Sequence, residues 1–377
     1  DAHLLDRGWK APRAVQSCGI GAMRVEKIED ADMQRLAETE KLEVLHPEYG
    51  TRPRVYYKNL HHVTRCFIGA TVIAQKAAHL TVFQRTPNYS VPASNAPISA
   101  QEDREVKANY RQRREQAWNS PTGLGFTPGK KSALDASPEE RNQVYEAAWQ
   151  RLGYGFALTY FDILLNKEAN DTAAEFIRQK IASLIESPKL RQKLIPKDHA
   201  FAARRPSVDS GYFQSFNRKN VELADLREDP IVQFTAEGIR TQAKDHAFDI
   251  IIFATGFDAF TGSLLKPLIM GRQGLSLKAK WSAGPVTQLG IGTSGFPNMF
   301  VLVGPGSPSL LSNVMVSIEE QSDWLAHMID HMGKHGIQEV EVTELAEQAW
   351  VAHVNERARE TLYLTADSYY NGAEVAG

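Results

Sequence analysis

Residues 79–92, His79-Leu80-Thr81-Val82-Phe83-Gln84-Arg85-Thr86-Pro87-Asn88-Tyr89-Ser90-Val91-Pro92, run apolar from Leu80 to Phe83 and then stop abruptly at a cation and a proline. The run predicts a short strand, and the break predicts a turn in which Pro87 restricts the backbone. In open α/β sheets, ligands bind just outside the carboxyl ends of the strands, and a nucleotide carrying a 2′-phosphate is commonly met there by an arginine. Arg85 has that placement. A surface arginine beside a turn is the plainer reading, and the stretch taken alone favours it.

The pattern around this stretch is mixed. Gln101 to Trp118 is heavily charged with few apolar positions and predicts an exposed helix. Ser137-Pro138-Glu139-Glu140 is a capping box with proline at the first helical position, opening a helix through Trp149. Phe156 to Leu165 and Thr172 to Ile185 predict two more helices, the second capped by Thr172-x-x-Glu175. After Pro196 strands return at Ile231 to Phe234, Gly238 to Thr241 and Phe248 to Phe253, the last being a continuous apolar run of the kind covered on both faces. Glu319 to Met332 and Thr343 to Leu362 predict amphipathic helices. Helices between two sets of strands imply an α/β core with a helical insertion.

Composition narrows the function. The 377 residues are 42% hydrophobic and 23% charged, which suits a globular protein of about two domains. A net charge of −2 provides no basic field to gather nucleic acid or anionic lipid. No apolar run approaches the roughly 18 residues of a membrane span, and Asp1-Ala2-His3 lacks the features of a signal peptide. Two cysteines, Cys18 and Cys66, fit a reducing compartment, so a cytoplasmic location is expected.

Three further stretches could carry chemistry. Arg204-Arg205 precedes a proline, which favours extended backbone and points the two guanidinium groups roughly opposite ways. Pairing with Asp198 or Asp209 is the plainer reading. Ala254-Thr255-Gly256-Phe257-Asp258 puts small residues at a strand end, and Val303 to Ser309 is a rigid Gly/Pro loop; both also suit ordinary turns. His61-His62 and the helical series His327, His331, His335 lack carboxylate or cysteine partners, so no metal is expected. No G-x-S-x-G elbow occurs, which disfavours a hydrolase.

Taken together, HLTVFQRTPNYSVPA, GKKSAL, FIRQKI, LIPKDHAFAARRPSVDSGYFQSFNRKNVEL, DIIIFATGFDAFTG, KWSAGP, GFPNMFVLVGPGSPSLLSN and WVAHVNERARETLYLTADSYY strongly resemble the type I Baeyer-Villiger monooxygenases, in one order from about Thr71 to Gly377. The likeness is to the phenylacetone, steroid and cyclohexanone group. It implies one domain for FAD and one for NADPH, with a helical subdomain inserted in the latter. It implies that NADPH reduces the flavin, O2 adds to it, and the resulting peroxide attacks a ketone that rearranges to an ester or lactone. By the same resemblance Arg85 with Thr86 meets the 2′-phosphate of NADPH, Arg204 meets the same phosphate, and Arg205 is the catalytic arginine. A permanently protonated, planar fork suits that last role. Thr255 and Gly256 fall in the cofactor-binding linker between domains, and Ser309, Leu310 and Leu311 line the substrate pocket.

The departures from the family are large. Its FAD fingerprint, the glycine motif ahead of HLTVFQRTP and the signature F-x-G-x-x-x-H-x-x-x-W are absent. A flavin pyrophosphate needs a G-x-G-x-x-G turn opening a helix, where backbone N–H groups meet its charge, and none is expected here. Residues 1–70 resemble instead the tail of a four-iron-four-sulfur electron-transfer subunit of molybdopterin oxidoreductases, where a C-x3-C-P turn supplies ligands. This chain has Ala14, Cys18 and Gly19 at those places, too few thiolates for a cubane, so no iron-sulfur cluster is expected.

The expected fold is α/β, with incomplete doubly wound, Rossmann-like dinucleotide-binding domains and a helical insertion. Residues 71–91 and 199–253 would be a partial NADPH-binding domain, 92–198 the insertion, and 254–377 the C-terminal half of an FAD-binding domain. The expected function is a Baeyer-Villiger-type monooxygenase with FAD and NADP(H), acting on a ketone with O2, truncated or fused and weakly active or inactive alone. The alternative is a non-catalytic binding or assembly chain, or a fusion product. A protein partner stays open, because missing strands leave apolar faces to cover.

Overall fold

The computed structural model describes residues 42–43, 57–58, 66–94, 97–120, 122–125, 127–151, 153–254, 261–307 and 312–372. The chain divides into two compact units, Asp1–Lys76 and Ala77–Gly377. In the first, β1 (Leu42–Glu43) pairs antiparallel with β2 (Tyr57–Lys58), and α1 spans Cys66–Lys76. Cys18 and the pair His61-His62 lie outside the described residues.

The second unit is α/β. β3 (Leu80–Gln84) runs parallel to a later strand, Val221–Asp225, in register from Leu80↔Val221 to Gln84↔Asp225. β4 (Ser90–Pro92) runs parallel to β5 (Ser207–Asp209), in register from Ser90↔Ser207; Val221–Asp225 is then β6. Parallel strands cannot be joined by a tight turn, and the crossover here is the helical insertion. That insertion opens with α2 (Ala100–Ala108) and α3 (Tyr110–Trp118), which bury no residue, as their charge predicts. α4 (Pro138–Arg151) starts at the expected cap, the Ser137 hydroxyl accepting the Glu140 N–H at 3.2 Å.

Two helices differ from expectation. Residues 156–165 are a 3-10 turn, Gly153–Leu158, followed by a loop, because Asp162 takes the Ser132 hydroxyl at 2.5 Å and the Ala133 N–H at 3.0 Å and holds the chain out of a helix. α5 (Lys167–Leu184) is capped six residues earlier than Thr172, by Asn166, whose side-chain oxygen accepts the Ala169 N–H at 2.9 Å. Thr172 sits inside the helix, with its hydroxyl donating to the Ala169 carbonyl at 2.7 Å. The short helices α6 (Pro188–Leu194) and α7 (Tyr212–Ser215) complete this region.

Aromatic packing runs from the insertion to the strands. Phe156 stacks on Phe176 at 5.8 Å, meets Phe201 edge-on at 5.7 Å, and Phe201 in turn meets Tyr89 at 5.5 Å. Asn170 on α5, fully buried, bonds Phe201 in both directions: its amide donates to the Phe201 carbonyl at 2.9 Å and its oxygen accepts the Phe201 N–H at 2.9 Å. That fastening leaves the next residue, Ala202, at φ 64°, a left-handed backbone that a non-glycine residue adopts only when its surroundings hold it.

β7 (Ile231–Phe234), β8 (Gly238–Thr241) and β9 (Asp245–Ala247) form an antiparallel meander. The first two are the predicted strands. The apolar run Phe248 to Phe253 is not a strand, and three of its side chains lie open: Ile250 is 44%, Ile252 43% and Phe253 66% exposed. A strand needs a neighbour to take its N–H and C=O groups, and none of the described strands pairs with it. Beyond it come α8 (Gly262–Leu265), α9 (Leu277–Lys280), α10 (Val314–His335) and α11 (Glu344–Arg359), the last two matching the predicted amphipathic helices with α10 extended at both ends. Their region has a small core of Leu277, Trp281 and Phe296. Glu347 of α11, 2% exposed, accepts from Lys280 at 2.8 Å, Thr293 at 2.6 Å and the Ser294 N–H at 2.9 Å. Among the described residues no helix is long and apolar enough to cross a membrane.

Candidate functional site

Both arginine stretches lead into one pair of strands. β3 ends at Gln84, Arg85 and Thr86 follow, and the chain enters β4 at Ser90; Arg204 and Arg205 come just before β5 at Ser207. Because β4 and β5 are parallel and start level with each other, the two stretches share the amino-terminal end of that pair, beyond the carboxyl end of β3.

Asn88 joins them. Its Nδ2 donates to the Arg205 carbonyl at 2.8 Å, and its Oδ1 accepts the Tyr89 N–H at 2.9 Å. His199 Nε2 lies 3.2 Å from that same oxygen, while His199 Nδ1 lies 2.8 Å from Asp198 Oδ1. The other Asp198 oxygen takes Arg227, whose Nη2 also reaches the Thr86 hydroxyl at 3.3 Å. Burial lowers the His199 pKa below its ordinary value; Asp198 opposes that and Arg204 and Arg178 add to it. Burial pushes Asp198 up, but its bonds to His199 and Arg227 outweigh this and leave it below the usual carboxylate range.

The arginines themselves have unlike surroundings. Arg85 is exposed and makes no hydrogen bond or ion pair among the described residues. Arg205 is exposed, with its guanidinium carbon 5.0 Å from the centre of the Tyr154 ring, a cation-π contact. Arg204 is part-buried, and its Nε is shut away from solvent without a partner among the described residues. The different settings of Arg204 and Arg205 agree with extended backbone before Pro206. Their plainer partners are engaged elsewhere: Asp198 as above, and Asp209 by the N–H groups of Gly211 at 2.9 Å and Tyr212 at 2.6 Å. Three guanidinium groups near one strand end, one with an orphaned buried N–H, suit a polyanionic ligand such as a phosphate monoester.

Asn88, His199, Arg227 and Tyr154 carry this geometry and were not predicted, and Asp198, expected as a plain partner of the arginine pair, takes Arg227 instead. Their partners lie as far as 141 residues away in sequence, as Arg227 and Thr86 do, so no spacing signal could have found them. Thr255, Gly256, Ser309, Leu310 and Leu311 lie outside the described residues. One stretch does have the G-x-G-x-x-G spacing, Gly290-Ile291-Gly292-Thr293-Ser294-Gly295, but it is a bridged turn, Gln288↔Gly292, followed by Phe296-Pro297 and not by a helix. Its first glycine answers to packing: a Cβ on Gly290 would sit 2.6 Å from the Ser307 nitrogen. It is not a pyrophosphate cradle. His331 and His335 stack at 4.0 Å, and no group of three metal-ligating side chains occurs among the described residues.

No family model matches the chain. The chain is 43% identical over 311 residues to a Baeyer-Villiger monooxygenase of Pseudooceanicola batsensis, covering 81% of this chain and 56% of that protein. It is 38% identical over 311 residues to cyclohexanone 1,2-monooxygenase of an Acinetobacter species, with the same coverage. Among solved structures, an oxidized steroid monooxygenase bound to NADP superposes with a TM-score of 0.78 at 45% identity, covering 81% of this chain and 58% of that one. Cyclohexanone monooxygenase from Rhodococcus sp. Phi1 bound to NADP+ gives 0.79 at 38% identity, covering 82% and 58%. The parallel pairs, the crossover helices and these likenesses define a Rossmann-like α/β scaffold. Over the matched residues the chain is similar to type I Baeyer-Villiger monooxygenases, and it spans a little over half the length of the relatives it matches.

Proposed function

We propose that this chain carries the nicotinamide-phosphate-recognising part of a Baeyer-Villiger-type flavin-dependent monooxygenase, which uses NADPH and O2 to convert a ketone to an ester or lactone. The observation that carries this reading is the meeting of Arg85 and Arg204-Arg205 at one strand end. Arg85 and Thr86, with Arg204, hold the 2′-phosphate; Arg205, braced over Tyr154, is the catalytic arginine that orients the nicotinamide end of the ligand. Bound NADPH supplies a hydride. Residues 71–91 and 199–253 form the nicotinamide side, 92–198 the insertion and 254–377 the flavin side, with Thr255 and Gly256 in the linker and Ser309, Leu310 and Leu311 at the substrate pocket.

FAD is the second cofactor that kinship suggests for the whole protein. The described residues of this chain do not form the glycine turn at a helix N-terminus that its pyrophosphate needs, so the oxygen chemistry is assigned to the whole protein and not to these residues. The second reading, a chain without catalysis of its own, is favoured by the uncovered apolar run at Ile250, Ile252 and Phe253.

Calorimetric titration with 2′,5′-ADP and with 5′-AMP tests the phosphate assignment. The chain is expected to prefer the 2′-phosphorylated ligand, and Arg85→Ala to weaken that ligand roughly 10- to 100-fold while leaving 5′-AMP unchanged. Equal affinities in the unmodified chain would overturn it. NADPH oxidation that depends on a ketone, with FAD added, separates the two readings: its absence selects the non-catalytic one.

A further inference from the structure

The cluster between the two arginine stretches contains a histidine whose protonation state is dictated by its neighbours. The orientation of the Asn88 amide is settled by two bonds, Nδ2 to the Arg205 carbonyl at 2.8 Å and Oδ1 from the Tyr89 N–H at 2.9 Å. Reversing the amide would set donor against donor and acceptor against acceptor. The atom that His199 Nε2 faces at 3.2 Å is therefore an acceptor. On the opposite side Nδ1 faces Asp198 Oδ1 at 2.8 Å, an acceptor as well, because Arg227 keeps that carboxylate ionised. A neutral imidazole has one N–H and satisfies one of these contacts; the imidazolium satisfies both. The side chain is 1% exposed, so bulk water does not substitute for the lost bond.

We infer that His199 is a positioning residue for the arginine site: doubly protonated, it bridges Asp198 to Asn88 and fixes the Arg205 carbonyl against the loop bearing Arg85 and Thr86, and neutral, it releases that link. The inference rests on the proposed reading of Arg85, Arg204 and Arg205 as contacts to a phosphate-bearing nucleotide. The charged and titratable groups around the ring are Asp198 beside it, Arg204 from the segment before β5, Arg178 from α5, Arg227 through Asp198, and Tyr89, whose ring meets it edge-on at 5.2 Å. Burial and the cations Arg204 and Arg178 oppose the imidazolium, while Asp198 favours it. An anionic phosphate among the arginines offsets the cationic field, so ligand and proton bind together. Affinity for the phosphate therefore falls as pH rises through the His199 titration.

The test uses the full chain and two readouts. In calorimetry with 2′,5′-ADP across the histidine range, the unmodified chain is expected to bind roughly tenfold more weakly above the titration than below it. His199→Gln, which keeps one side-chain N–H toward Asn88, should lose that pH dependence, and His199→Leu should bind roughly tenfold more weakly throughout. The ligand's own phosphate titrates identically in all three proteins and cancels in the comparison. Hydrogen exchange supplies the second readout: the amides of Tyr89 and Ser207, which bond Asn88 Oδ1 and the Tyr89 carbonyl, should lose protection in His199→Leu and in Asn88→Leu but keep it in His199→Gln. Unchanged exchange in both leucine variants, or a His199→Leu chain that matches the unmodified one at every pH, overturns the inference. If exchange responds as expected but the unmodified chain binds no 2′,5′-ADP, the phosphate reading fails and the positioning role of His199 stands.

Discussion

Leu80 to Gln84 and Phe248 to Phe253 are apolar runs of similar length, and the second is the more apolar of the two, yet only the first is a strand. Leu80 to Gln84 lies in register with five residues of β6. The run at 248–253 has no strand beside it among the described residues and leaves Phe253 66% exposed. The contrast separates two things that sequence merges. Apolar side chains say that a segment would gain by burial, whereas strand structure also requires a neighbour to satisfy its backbone. Where the chain carries both partners, local order extends into side-chain networks such as Asp198-His199-Asn88; where it does not, the same kind of sequence stays open.

Hydrogen exchange should show the contrast at its largest. Amides of Val82 and Gln84 are expected to exchange at least about a hundredfold more slowly than those of Ile251 and Ile252, since opening the first requires breaking a parallel ladder. Comparable rates would mean that the run at 248–253 is paired in solution. Asn170→Leu should cost about 3 kcal/mol in urea denaturation, because it strands the buried N–H and carbonyl of Phe201 and the carbonyl of Ile163. A loss below about 1 kcal/mol would show that the Phe201 segment is held by aromatic packing alone.

Glu347→Ala should cost a similar amount, about 3 kcal/mol, by leaving Lys280 part-buried and unpaired. Burial pushes the Glu347 pKa up, but Lys280, Thr293 and Ser294 outweigh it and leave it below the ordinary glutamate value. A depressed folded-state pKa means the contribution is fully present above the ordinary range and is lost as pH falls through the lowered value. The stability gap between the two proteins should therefore narrow in acid, which paired denaturation curves would show. The smallest effect belongs to the unpaired run: Ile252→Ser should shift stability by no more than about 0.5 kcal/mol, since its side chain is already 43% exposed.

What the sequence made legible follows the same division. Local rules found the Ser137 cap, the exposed helical stretch after Ser99, though as one helix where the chain breaks at Asn109, and the two C-terminal helices, because each depends on residues within a few positions. They mislocated the start of α5, where Asn166 caps and Thr172 does not, because both residues can perform the same task. They also took Phe156 to Leu165 for a helix, since the competing bonds to Asp162 come from Ser132 and Ala133, 30 and 29 residues away in the chain. Arg85, Arg204 and Arg205 were singled out by the resemblance, and the structure brings their stretches to one strand end. The Asn88 link was not, since an asparagine after proline in a turn signals only the turn until its partner more than a hundred residues on is known.

Asn170 has a mechanical consequence. Gripping Phe201 from both sides, it couples α5 rigidly to the segment that ends in Arg204 and Arg205, so the helix and the arginines turn as one lever. A surface change on the far side of α5 that tilts the helix by a few degrees is then transmitted to Arg204 and Arg205 without touching them.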